Sequence, residues 1–237
     1  IWVGYVLWGD DARYFHLLGI AWHVAAALLL TRLCQRLGAE WTTSAATGLL
    51  FFYAASHYRA IHWISAQCYV VSFILLCCGV LAHIARDEGK PWAGAALYIA
   101  LICGLLVHTA TIVVLPLAAA RSWSQRRPVA AVLKRLAWPF AVGVLGVVAI
   151  RTYYANAPQV GQLSGGFDPF GHVASLLYMI SRLFTTAYAL PFALGETARW
   201  EPVVGGVVLL GCGALALRRR GTASFWAIWT VACLLPF

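Results

Sequence analysis

The sequence predicts an all-α, polytopic transmembrane helical bundle, from its composition, the spacing of its apolar runs and the placement of its charges. Hydrophobic residues make up 62% of the chain and charged residues 11%. With a mean hydropathy of +0.79, it lies well outside the range of soluble domains. The apolar runs recur near the ~20 residues that a spanning helix needs. Twelve of the seventeen Lys and Arg residues lie in a few gaps between runs: Arg32 and Arg36, Arg86 and Lys90, residues 121–135, and Arg218-Arg219-Arg220. The other gaps carry His16, His57, His62, His108 and His172. Cytoplasmic loops are enriched in Lys and Arg, so the alternation assigns each gap to a side and gathers the imidazoles on the extracytoplasmic one. The net charge of +9 then sits at helix ends that meet anionic lipid. No basic face with interleaved aromatics lies outside the membrane boundaries, which argues against a nucleic-acid partner.

Residues 1–13 are too short to span; Trp2, Tyr5 and Trp8 predict an interfacial helix, ended by Gly9-Asp10-Asp11. A first span over residues 14–33 reaches the cytoplasm at Arg32 and Arg36. A short span over 41–56 returns outward, and 64–85 goes back in, stopped by Arg86-Asp87-Glu88-Gly89-Lys90. Residues 91–120 form one uncharged run between two basic ends. A single helix of that length would measure about 45 Å against a hydrocarbon core of about 30 Å, and its ends would lie on opposite sides. Two short helices turning near His108-Thr109-Ala110-Thr111, crossing or re-entering, meet both constraints. Irregular backbone at that depth must be satisfied by protein or water.

After the basic linker 121–135, residues 137–150 go outward. Residues 151–171 form the longest outer loop, with Pro158, Gly161, Gly165-Gly166 and Pro169 as breakers. Residues 172–194, with Arg182 in the middle and Pro191 near the end, have both ends outside and are expected to form a re-entrant or surface helix. Residues 202–217 run inward to the arginine triplet, and 225–235 run outward. The expectation is about eight crossings in one membrane domain over 1–237, with both termini extracytoplasmic. The seven cysteines lie mostly inside apolar runs without metal-ligand spacing, as small packing residues do. An opening at Ile1, with neither Met nor a basic n-region, does not read as a signal peptide. The expectation is a piece of a longer chain that starts after at least one upstream helix.

Leu7-Trp8-Gly9 is an aromatic–glycine turn, followed by a helix carrying Phe15-His16-Leu17 and, two turns on, His23. A short apolar run then leads to His57 and to Trp63-Ile64-Ser65. Thr109-Ala110 precedes Leu115-Pro116, and Leu234-Leu235-Pro236 closes the last outward run. In this order the residues resemble the C-type-fold integral-membrane glycosyltransferases, nearest to the protein O-mannosyltransferase branch whose members often carry TPR tails. The resemblance covers residues 7–120, and the rest in outline. The family's His-Pro-x-His-x-Glu loop is altered, with Ala54-Ala55 standing at His-Pro and Arg59 at the Glu. Its later Lys-Glu pair is replaced by Thr109-Ala110. Its first catalytic acid lies on the loop after a first helix that would precede Ile1.

The resemblance implies a transferase of a bacterial cytoplasmic membrane. It would pass a sugar from a polyprenyl-phosphate donor to a protein, lipid or glycan acceptor on the extracytoplasmic face. A carboxylate must take the acceptor's proton, cations must hold the departing phosphate, and membrane lipid must accommodate the long tail. Asp10 and Asp11 are the catalytic candidates within this sequence, and the alternative is that one of them caps the next helix. His57, Arg59 and His62 are candidates for the phosphate, since a guanidinium fork matches phosphate oxygens; the alternative is an interfacial anchor loop. His16 and His23, seven apart, share a helical face, and an imidazole inside a span is a functional hypothesis by default. The alternative there is a neutral ring bonded to a neighbouring helix. His108 either satisfies its turn or meets the donor head, and Arg182 either holds a second phosphate or snorkels.

His57 and His62 do not share a helical face and have no third ligand, so they do not read as a metal site. No resident cofactor is read from the sequence, and a divalent metal at the Asp10-Asp11 pair stays open. Two readings compete with the transferase. One is a secondary transporter or lipid flippase, for which no internal repeat is evident and whose polar residues would lie near the midplane. The other is a non-catalytic membrane scaffold.

Overall fold

The computed structural model describes residues 6–9, 11–54, 66–156, 177, 180, 201–217 and 221–232. Among the described residues the chain is all-helical, without a strand. Three helices are long and apolar enough to cross a membrane, and two shorter ones are strongly apolar. Leu17, Leu28, Leu49, Leu106, Leu145 and Leu210 are all exposed, a surface suited to acyl chains and not to water. The chain is an all-α membrane protein. It divides into two compact units, the first holding the described residues up to Thr111 and the second those from Ile112.

In the first unit, α1 (Ala12–Arg36) buries Phe15, Gly19, His23, Ala26, Leu30 and Leu33, spaced by three and four as one helical face requires. The second helix, α2 (Trp41–Tyr53), returns along it. Gly48 faces Thr31 and the Ala27 carbonyl, leaving no room for a Cβ, so the two backbones approach as small residues allow. Ser44 and Thr47 donate their hydroxyls to the carbonyls four residues back, of Glu40 at the N-cap and of Thr43, which removes the cost of carrying them into an apolar setting. Next come α3 (Gln67–Asp87) and α4 (Ala93–Val107).

Both basic turns of this unit end their helices alike. Gly38 (φ 93°) follows α1 and Gly89 (φ 79°) follows α3. The N–H of Ala39 donates to Cys34 O, and that of Lys90 to Ala85 O. This six-to-one closure needs a left-handed residue, which glycine adopts without a Cβ penalty. The two turns meet, Arg36 donating to Glu88 at 2.6 Å. At the other ends of the same helices, the Gln67 amide donates to Phe15 O at 2.7 Å. Contacts at both ends make α1 and α3 parallel, while α2 and α4 run the opposite way. This agrees with the alternation read from the charges.

The uncharged run 91–120 breaks where expected. After α4 the chain is extended at His108, forms a 3-10 helix (Thr109–Val113), and continues as α5 (Val114–Ser124). The second unit adds α6 (Val129–Ala155), α7 (Glu201–Leu217) and α8 (Gly221–Ala232). The Cβ position of Gly143 on α6 lies 2.7 Å from Leu115 of α5, and Trp123 donates its indole N–H to Ala216 O of α7 at 3.3 Å. Ser224 of α8 donates to Leu215 O at 2.9 Å.

Several boundaries differ from expectation. The basic linker is shorter than 121–135, because α6 starts at Val129 and carries Lys134 and Arg135 in its first turns. Val129-Ala130-Ala131-Val132-Leu133 is apolar enough to continue the helix, and long basic side chains can reach out from it. Pro139 lies inside α6, buried, removing one ladder hydrogen bond that the flanking turns tolerate. The second helix stops at Tyr53, short of 56, and α8 begins at Gly221, ahead of 225. All but residues 177 and 180 of the stretch 172–194, and most of the stretch 151–171, lie outside the described residues, as do His172 and the arginine triplet.

Among the three six-to-one closures, one is strained. Arg127 N–H donates to Ser122 O after α5, but the left-handed residue is Arg126 at φ 59°. A side chain there costs about 1–2 kcal/mol relative to glycine.

Candidate functional site

The first unit gathers polar groups at the end opposite the Arg36–Glu88 pair. Asp11 caps α1, its carboxylate accepting from the Arg13 N–H at 3.1 Å and from the Arg13 guanidinium at 2.8 and 3.0 Å. That guanidinium, with the capping N–H beside it, holds the Asp11 carboxyl below its ordinary value. The folded value is the lower one, so the pairing favours the folded chain above about pH 4 and is lost on acidification through the depressed value. Trp8 stacks on Tyr14 at 5.8 Å and meets Phe15 edge-on at 5.9 Å, so the aromatic–glycine turn packs on the start of α1.

His16, half-buried, follows the Phe15 carbonyl that Gln67 holds. Two residues beyond Gln67, Tyr69 packs its ring 4.8 Å from that of His108. His108 closes α4: its N–H donates to Gly104 O at 2.8 Å, and its Nδ1 accepts from the Ala110 N–H at 3.1 Å. An Nδ1 that accepts is unprotonated, so the neutral ring carries its proton on Nε2. His108 therefore satisfies the irregular backbone of its turn. The same turn delivers Thr111, fully buried, to Ser72 of α3 with hydroxyl oxygens 2.7 Å apart.

His23 lies on the buried face of α1, 1% exposed. Its Nε2 donates to Phe52 O of α2 at 3.2 Å, and its ring stacks on Phe51 at 5.1 Å. Phe51 in turn stacks on Phe73 of α3 at 4.9 Å. His16 and His23 keep the shared face that their spacing implies, and His23 also ties α1 to α2.

Asp10, His57, Arg59, His62 and Arg182 lie outside the described residues. The stretch containing His57, Arg59 and His62 is flanked by Ala54, which ends α2, and by Ala66, which precedes Gln67. Among the described residues no three His, Cys, Asp or Glu side chains come together as a metal cage.

Sequence reasoning passed over three features of this unit. Gln67 and Ser72 are polar residues of α3 that turn inward, and no periodic signal in so apolar a stretch distinguishes an inward from an outward amide. His83 is buried at the basic end, 3.9 Å from the half-buried Asp87; their i, i+4 spacing was readable. Gln67→Leu is expected to lower unfolding stability in detergent by about 1 kcal/mol with helix content unchanged. An unaltered denaturation midpoint would show that the amide does not tie α1 to α3.

The described residues define an all-helical membrane protein whose first unit carries Asp11, His16, Gln67 and His108 at the end opposite its basic turns. No family model matches the chain, and neither a curated protein nor a solved structure is significantly similar to it.

Proposed function

We propose that this chain is a membrane glycosyltransferase that transfers a sugar from a polyprenyl-phosphate donor to a protein, lipid or glycan acceptor on the extracytoplasmic face of a bacterial cytoplasmic membrane. It crosses the membrane about eight times and adds a re-entrant or surface helix over 172–194. The observation that carries the reading is the polarity of the first unit. His16 and Gln67 lie at one end, as does His108 through its ring contact with Tyr69, whereas Arg36 pairs with Glu88 at the other. That polarity gives lipid-linked chemistry a single face.

In the reaction the acceptor oxygen bonds to the anomeric carbon as the bond from that carbon to phosphate breaks. The acceptor's proton goes to a carboxylate, and the phosphate leaves on its polyprenyl tail, held by Arg59, His57 and His62. His16 and His108 border the donor head, and His23 supports the helix that carries His16. Asp11 is engaged as a cap, so of the two catalytic candidates Asp10 is assigned as the base. Asp10→Asn should therefore lower transfer about 10²–10⁴-fold, the usual worth of a general base, and Asp11→Asn should retain most of it. Equal loss in both variants would remove that division of roles.

A transport reading draws on a different observation. His23, Ser72 and Thr111 are buried polar groups inside the unit, where transporters keep theirs. Full chain in sealed vesicles, supplied with labelled polyprenyl-phosphate sugar, separates the two. Label joined to an acceptor supports transfer; label that crosses the bilayer unchanged supports transport and overturns it.

A further inference from the structure

The second unit carries an apolar cavity of about 460 Å³, lined by Pro116 and Trp123 of α5, Val129 and Leu133 of α6, Leu217 of α7 and Ile228 of α8, among others. That volume is within the range of small-molecule sites, but such sites normally add a few polar groups to orient the ligand. Every lining residue here is apolar. The occupant that fits is an alkyl chain.

The sequence beside these lining residues has the opposite character. Trp123 and Val129 bracket the turn that holds Arg126 and Arg127, Leu133 precedes Lys134, and Ala120 of the lining precedes Arg121. No Asp or Glu occurs between Glu88 and Asp168, so α5 and α6 contain no acidic residue. Arg126 and Lys134 are exposed. Arg126 also occupies the left-handed position at φ 59°, which glycine fills after α1 and α3. Strain kept where glycine would relieve it points to a use for the side chain.

We propose that this unit binds one anionic phospholipid, with an acyl chain in the cavity and its phosphate against Arg126 and Lys134. Charge selects this occupant. A second copy of the chain would bring the same excess of +9, whereas an anionic headgroup complements it, since basic residues at a membrane surface attract acidic lipid. The proposal is independent of the sugar-transfer reading, which concerns the other unit.

The test titrates purified full chain in detergent with phosphatidylglycerol, with phosphatidylcholine, or with soluble glycerol 3-phosphate, read by native mass spectrometry and thermal unfolding. Phosphatidylglycerol should bind about tenfold more tightly than phosphatidylcholine, and glycerol 3-phosphate should not raise Tm. Arg126→Gly should weaken phosphatidylglycerol about fivefold while raising Tm in the absence of lipid, because strain is relieved as the contact is lost. Ala119→Phe, which narrows the cavity, should weaken both lipids. Equal affinity for the two lipids, undiminished phosphatidylglycerol binding by Arg126→Gly, or glycerol phosphate binding as well as the lipid would each overturn the proposal. So would self-association that blocks lipid binding.

Discussion

Arg59→Ala is expected to reduce sugar transfer by about 10²–10³-fold, the usual effect of removing one donor from a charge-stabilising site. As the bond from sugar to phosphate breaks, negative charge builds on the phosphate oxygens. A guanidinium offers two parallel N–H groups to two of them, and near a membrane water screens that contact weakly. Arg59→Lys keeps the charge but loses the fork, so it should recover only part of the rate. His57→Ala should fall between wild type and Arg59→Ala, because a histidine adds one donor or a proton relay. The effect should lie in turnover more than in apparent affinity, since the charge is greatest in the transition state. The measurement is initial transfer rate from a series of polyprenyl-phosphate sugars. Rates for Arg59→Ala and His57→Ala equal to wild type would remove these residues from the site; inactivity of wild type with every donor would count against the proposed class.

Gly104→Ala is expected to destabilise the first unit by about 1–3 kcal/mol, as overpacking does. In an open helix the same change would be favourable by roughly 1 kcal/mol, so the sign of the result is itself decisive. At Gly104 a Cβ would strike the Thr111 methyl, with Thr111 Cβ at 2.8 Å and Oγ1 at 2.9 Å. Thr111 cannot withdraw, because it is fully buried and bonded to Ser72. Gly94 on the same helix has nothing within 4 Å, so Gly94→Ala should stabilise. Thr111→Ser removes the methyl while keeping the hydroxyl, and the double variant Gly104→Ala/Thr111→Ser should recover about 1 kcal/mol. The readout is unfolding of purified protein in detergent. Stabilisation by Gly104→Ala, or strictly additive effects in the double variant, would mean that α4 and the turn after it do not pack as described.

Much of this fold is readable along the chain, for a local reason. Partition of an apolar run into lipid depends on about 20 neighbouring residues, so the spans read at 14–33 and 64–85, formed as Ala12–Arg36 and Gln67–Asp87, and the break near His108 follow from hydropathy and charge. Lys and Arg content assigns two of the basic gaps to one end, and Arg36 meets Glu88 there in the first unit. The start of α6 was harder to place, because Lys134 and Arg135 mark a boundary in a charge pattern but not in a backbone that continues through them. Of the site, the Asp11 cap and the shared face of His16 and His23 are local, and both could be read from spacing.

The tertiary structure alone decided which polar groups meet. Gln67 reaches Phe15 O, Ser72 reaches Thr111, and His23 bonds to Phe52 O, joining residues far apart in sequence. Sequence determined that this protein is built of apolar membrane helices, the first and third of which end in basic turns. Helix packing determined that Gly48 and Gly104 are contact surfaces and that His23 is a tie between helices. The physical reason is range: hydropathy acts on each segment by itself, whereas a buried donor finds its acceptor only after the helices have chosen their neighbours.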